Sequence, residues 1–448
     1  MGEHVRVLRR RLAMMLAAVL AMVGAGVAPV PVAAAQCGST QMVMGRWSAV
    51  DLPPAPSVPV LGASILSTSV VGQDPSVVLA TDGVAVYRST DGGCRWNTTY
   101  TLGPADYPTV SGVATAYNIT NIGTTHSAVP AARQDVYLAL SPNPLNAFSM
   151  VTLFGAAPPE LVAVSHDGGQ TFAVVPPAPS AANPIVPECL SRPTAFIVPP
   201  TDSRTIYMQC SGGLSQQVAE QAVAGGPYVY RSLDGGRSWS LMVLPMYGQY
   251  DAQWFVPGPK PRELWVAGQV SDGVAGYLAV AHTTDGGAHW TISKPAGKPG
   301  VGIGPIGVAV DMASAPGAER LVAYAPIGAF VSSDSGKHWT KLRGLDPTQG
   351  ASNVALAFLL RHSVYVVAMP ASYSCNKPGG VRLLRYSNGP GQPADTAFPG
   401  RWGEFAGWGA GDSFATLSGG TVAFGVMSFC QPATGTPPPP KLLSFRPS

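Results

Sequence analysis

Ser89-Thr90-Asp91-Gly92-Gly93-Cys94-Arg95-Trp96 is the stretch on which the fold turns, because its arrangement returns four more times along the chain. It recurs as Ser165-His166-Asp167-Gly168-Gly169-Gln170-Thr171-Phe172 and as Ser232-Leu233-Asp234-Gly235-Gly236-Arg237-Ser238-Trp239. The fourth copy is Thr283-Thr284-Asp285-Gly286-Gly287-Ala288-His289-Trp290, and the fifth is Ser332-Ser333-Asp334-Ser335-Gly336-Lys337-His338-Trp339. A short pattern repeated at long intervals marks a modular architecture, and it has to be read before any single segment.

The pattern has a direct physical meaning. An Asp followed by glycine makes a tight turn, since the carboxylate accepts hydrogen bonds from nearby backbone amides and Gly enters backbone regions closed to other residues. A strand leads into each copy, such as Val84-Ala85-Val86-Tyr87 or Tyr228-Val229-Tyr230, and the aromatic that ends the copy opens the next strand. The aromatic ring can then be buried between neighbouring sheets. Each copy is therefore a β-hairpin corner. High Gly (52) and Pro (44) with only 11% charged residues agree with many short strands joined by turns.

The pattern S-x-D-x-G-x-x-W resembles the Asp box, or bacterial neuraminidase repeat, of sialidases, sortilin-type receptors, some glycoside hydrolases and photosystem assembly factors. The resemblance implies a β-propeller in which each box joins the third and fourth strands of a blade, at the periphery and away from the central channel. It implies a structural role for Asp91, Gly93, Trp96, Asp167, Gly169, Phe172, Asp234, Gly236, Trp239, Asp285, Gly287, Trp290, Asp334, Gly336 and Trp339. Five equivalent acids are more than one active site needs, so these Asp residues are given no chemistry.

The box Asp positions lie 76, 67, 51 and 49 residues apart, enough for one four-stranded blade per interval with insertions in the first two. A degenerate sixth copy, Leu384-Arg385-Tyr386-Ser387-Asn388-Gly389, places Asn388 54 residues beyond Asp334. Leu442-Leu443-Ser444-Phe445-Arg446 reads as a strand entering a box and Gly45-Arg46-Trp47-Ser48 as a strand leaving one. Together they make a last blade closed by the N-terminal strand. The expectation is an all-β fold, a seven-bladed β-propeller of four-stranded antiparallel blades, with six or eight blades as alternatives.

Residues 1–35 hold Arg6, Arg9, Arg10 and Arg11, an apolar run and Ala33-Ala34-Ala35, the order of a secretory signal. The expectation is a signal over 1–35, one propeller over 36–448, and a secreted or cell-surface protein; a membrane association follows only if the signal stays uncleaved. Cleavage removes four Arg and Glu3 and leaves 23 basic against 23 acidic residues. A neutral chain gives no electrostatic case for nucleic acid.

Cys37, Cys94, Cys189, Cys210, Cys375 and Cys430 all lie beyond the signal, an even number that favours disulfides, with fifteen pairings open on counting alone. The propeller order favours Cys37 with Cys94 at the ring seam, Cys189 with Cys210, and Cys375 with Cys430; non-reducing peptide mapping reads this out. Metal-ligand spacing is missing, so no metal or cofactor is expected.

Chemistry is hard to find. A sialidase needs an arginine cluster, a Tyr–Glu nucleophile and an Asp acid. No Arg-Ile-Pro occurs, Arg88 and Arg231 read as solvated surface residues, and none of Glu160, Glu188, Glu220, Glu263, Glu319 and Glu404 is visibly paired with a Tyr. Asp74, Asp106, Asp135, Asp251, Asp311 and Asp412 lie outside the boxes and could supply a hydrolytic pair, whereas Asp82-Gly83 and Asp272-Gly273 read as hairpin turns. Insertions at Ser141–Glu160, Ser211–Gly226 and Pro370–Gly380 each join a second to a third strand, on the face opposite the boxes. Tyr247, Tyr250, Trp254 and Trp408 could stack on a sugar or anchor a partner. The reading is a non-catalytic propeller for protein or glycan binding or complex assembly, with a glycoside hydrolase as the alternative.

Overall fold

The computed structural model describes residues 47–51, 67–103, 109–125, 130–142, 160–176, 195–210, 228–245, 255–271, 276–297, 306–345, 353–369, 382–387, 394–396, 414–427 and 441–445, short gaps within these spans excepted. All of them belong to the unit Gln36–Ser448. Their strands form a two-stranded sheet, Thr109–Val110 with Val113–Ala114, and seven four-stranded antiparallel sheets, each of the seven built from strands consecutive in the chain but for one. That one joins Phe414–Leu417, Val422–Met427 and Lys441–Phe445 to Trp47–Asp51, with Trp47 opposite Phe445 and Asp51 opposite Lys441. The chain folds as a β-propeller. We number the sheets as blades 1 to 7, starting from Ser67–Val70, the innermost strand of blade 1.

Ring contacts follow the same order. The first strands of blades 1 and 2, Ser67–Val70 and Tyr117–Thr124, touch directly, and the first strand of blade 7 touches that of blade 6, Asn353–Leu360. Blades 1 and 2 are also tied by hydroxyls: Ser69 Oγ lies 3.0 Å from Thr124 Oγ1, which donates to the Val70 carbonyl at 2.7 Å.

Among the described residues, the buried apolar side chains fall into separate clusters rather than one core. Five clusters line five seams, each drawing on two adjacent blades. The period-2 alternation of a strand explains this. In Tyr228–Ser232, Val229 faces blade 4 and Tyr230 faces blade 2, and both are fully buried. Inner strands are consequently apolar on both sides, as in Val136–Pro142. Burying one large side chain at such a seam contributes about 1.5–3 kcal/mol.

The five boxes share one geometry. The leading hydroxyl of each, Ser89, Ser165, Ser232, Thr283 or Ser332, accepts the amide of the box Gly four residues on, at 2.8–3.0 Å. The Asp carboxylate accepts amides further along the turn: Arg95, Thr171, Ser238, His289 and His338 at 2.8–3.0 Å. The residue after the Asp reaches sideways. Its amide donates to a carbonyl in the turn between the first and second strands of the same blade: Ser76, Gln134, Arg204, Arg262 and Glu319. Each box therefore clasps the other turn on its own face.

Candidate functional site

The box carboxylates are saturated by their own turns. Burial alone would raise the Asp167 carboxyl, but hydrogen bonds from Ser165, Thr171 and Gln170 outweigh it and hold the group at about 2. At Asp285 and Asp334 the His289 and His338 amides and imidazoles lower the carboxyl, with Nδ1 to carboxylate distances of 2.7 and 2.5 Å. Both imidazoles project into solvent. The box aromatics are tied in as well, since Trp239 and Trp339 donate to the carbonyls of Gly236 and Gly336 at 3.0 and 2.9 Å.

Ser335 takes the place of a glycine with φ near 61°. Its hydroxyl accepts the Glu319 amide and donates to the Glu319 carboxylate, whose other oxygen faces Lys260 of blade 4 at 3.6 Å. The serine here adds a link between blades 4 and 5.

Arg88 and Arg231 are not solvated surface residues. Arg88 Nε donates to the Gly168 carbonyl at 3.0 Å and Arg231 Nη1 to the Gly286 carbonyl at 2.6 Å, in both cases in the box of the next blade. Burial lowers the Arg88 guanidinium, and Asp167 nearby offsets part of that. A charged donor on a box carbonyl is worth about 1.5–3 kcal/mol. Arg231→Ala is accordingly expected to lower unfolding stability by about 2 kcal/mol in a urea titration, and Arg231→Lys to recover only part of it, because lysine lacks the planar fork.

Most described acids outside the boxes sit on the box face. Asp74 accepts the Ser76 amide and hydroxyl, Asp202 the Arg204 amide and Thr205 hydroxyl, and Asp311 faces Arg320 at 3.4 Å. Asp135 meets His166 at 2.7 Å. Fully buried Glu263 holds His282 at 2.8 Å and accepts the Lys260 amide, while the His282 ring stacks on Trp265 at 3.7 Å. These groups secure the turns between first and second strands. Asp106, Asp251, Asp412, Asp272, Glu188, Glu220, Glu404, Asn388, Tyr247, Tyr250, Trp254 and Trp408 lie outside the described residues. Among the described residues no group of three or more His, Cys, Asp or Glu is placed to hold a metal. Cys94 is disulfide-bonded, and Cys210 ends the strand Ile206–Cys210; the other four cysteines lie outside the described residues.

Among the described residues, Asp82 and Glu160 lie on the opposite face, where second strands connect to third strands. Asp82 closes the tight turn of blade 1, accepting the Val84 and Ala85 amides and the Tyr87 hydroxyl at 2.8–3.0 Å. Glu160 is different. It stands immediately before the third strand of blade 2, Leu161–Ser165, is 1% exposed, and neither carboxylate oxygen has a hydrogen-bond partner. Leu161 pairs with Leu140, so Glu160 falls beside Ser141, and Ser141 pairs with Asn118 of the innermost strand. A bulge between Ile119 and Asn121 brings Thr120 into this row, its hydroxyl 2.9 Å from Ser141 Oγ. All four side chains are buried. Alternation puts Asn118, Ser141 and Glu160 on the side of Ala139 and Val162, which belong to the cluster shared with blade 3.

No protein-family model and no curated protein sequence matches the chain. Solved structures resemble it in shape. YCF48 from Cyanidioschyzon merolae aligns with a TM-score of 0.47 at 12% identity over 90% of this chain and 98% of its own. YCF48 bound to a D1 peptide aligns with 0.42 at 14% identity over 87% and 97%. The α-L-arabinofuranosidase Arb93A from Fusarium graminearum aligns with 0.43 at 13% identity over 89% and 97%. Among these neighbours are both a peptide-bound protein and a glycosidase, so their shape does not select an activity.

Proposed function

We propose that this chain is an exported, non-catalytic propeller that binds a protein or glycan on the face opposite its boxes. The supporting observation is how the carboxylates are spent. Asp74, Asp135, Asp202, Asp311, Glu263 and Glu319 all serve turns between first and second strands, on the box face. A glycosidase needs two carboxyl groups facing each other about 5–9.5 Å apart across a cleft. Long connections carried on a rigid ring are where binding residues are commonly found.

Purified protein lacking residues 1–35 is expected to leave a panel of aryl glycosides intact over a pH range of 4 to 8. Turnover that disappears on substituting a single Asp or Glu would establish the hydrolase instead and overturn the binding reading.

A further inference from the structure

We propose that the polar row at the seam between blades 2 and 3, with Glu160 at its back, is a subsite for the ammonium or guanidinium of a basic side chain on a protein ligand. The inference rests on the binding reading above and deepens it. A row of four buried polar groups at the end of an apolar seam carries a desolvation cost that packing with aliphatic residues would avoid. Two of the four help one another, since Thr120 reaches Ser141 and also the Ala139 carbonyl at 3.3 Å, while Asn118 lies across from Ser141 in the strand register. Neither Glu160 oxygen makes a hydrogen bond of full geometry, and the Ser141 hydroxyl is the one donor that acts on it.

The missing complement is a donor that carries positive charge. An ammonium brings three N–H groups, and the acceptors present are a carboxylate, two hydroxyls and an amide oxygen. Blade 3 contributes the buried apolar Phe196 and Met208 and the Tyr230 ring to the shared cluster, and such surroundings strengthen any ion pair formed there. The titratable neighbour on blade 2 is Tyr117, whose hydroxyl is raised first by burial and then by the Glu160 charge. Position also fits, because Glu160 lies where the connection of residues 143–159 rejoins the blade, on the face that the binding reading already uses.

Burial pushes the Glu160 carboxyl well above the carboxylate range, and Ser141 counters only part of this. A bound cation would therefore displace a proton. Titration with Nα-acetyl-lysinamide, with Nα-acetyl-alaninamide as control, tests this in calorimetry with two buffers of different ionisation enthalpy. The expected result is saturable binding of the lysine compound alone, release of a proton on binding, and affinity that rises up to about tenfold per pH unit while Glu160 is protonated. Glu160→Gln is expected to weaken binding at least tenfold and to erase the pH slope. Ser141→Ala is expected to weaken binding while keeping the slope, which guards against a variant that fails to fold. Absence of saturable binding, or equal affinity and slope in Glu160→Gln, overturns the subsite. Glycoside turnover would sink the reading it rests on and leave this titration unaffected.

Discussion

Gly168→Ala is expected to destabilise the protein by about 3–5 kcal/mol, whereas Gly235→Ala, the same change at the same position of the next box, is expected to cost only about 1–2 kcal/mol. Both glycines have φ near 71°, so both substitutions bear the cost of a left-handed alanine. Their surroundings differ. A Cβ on Gly168 would stand 2.1 Å from the Ala131 carbonyl oxygen, whereas on Gly235 the nearest atom would be the Tyr137 hydroxyl at 3.5 Å. Ala131 belongs to the one-turn helix Ala131–Arg133, which the box of blade 2 clasps through the Gly168 amide and the Gln134 carbonyl at 3.0 Å. Relief of the clash would have to open that clasp, and it would move the carbonyl that receives Arg88 from blade 1. Ser335, a natural side chain at this position, demonstrates that left-handed backbone alone is tolerated. Guanidinium unfolding of the two variants decides the matter. Equal losses would mean that neighbouring backbone does not constrain the box of blade 2.

The contrast between those glycines also defines what was legible in the sequence. Asp91, Asp167, Asp234, Asp285 and Asp334 announce themselves because the box is local: its hydroxyl, carboxylate and glycine all act within about one turn, at fixed spacing. The spacing between boxes then counts strands, and the fold follows. What each box touches beyond its own turn is set by strand pairing and by the neighbouring blade. Arg88 and Arg231 precede a box hydroxyl and look like surface residues until the next blade presents a carbonyl to them. Ser335 stands where the other boxes have glycine, and its use depends on Glu319, sixteen positions earlier in the chain. Glu160 was visible only as an acid at the end of an insertion. Its one signal was a charged residue directly preceding the apolar run Leu161-Val162-Ala163-Val164, and its burial depends on a register with Ser141 that no local pattern encodes.

That burial predicts an unusual response to pH. The unfolded chain should titrate Glu160 near the ordinary glutamate value of about 4.3, whereas the folded protein holds the carboxyl well above it. Below about pH 4 both states carry the proton and Glu160 imposes no pH dependence. Above that, the unfolded state gives up its proton while the folded state keeps it, so stability falls as pH rises, by up to about 1.4 kcal/mol per pH unit until the folded carboxyl ionises. The box carboxylates work in the opposite direction, since a group held down at about 2, as at Asp167, contributes stability that is lost on acidification. Subtracting the unfolding free energy of Glu160→Gln from that of the wild type at each pH removes the boxes and isolates Glu160. The difference is expected to decline as pH rises above about 4.5 and to level off once the folded carboxyl ionises. A flat difference would mean that Glu160 is solvated in the folded state, and the buried row would then lose its reason to attract a cation.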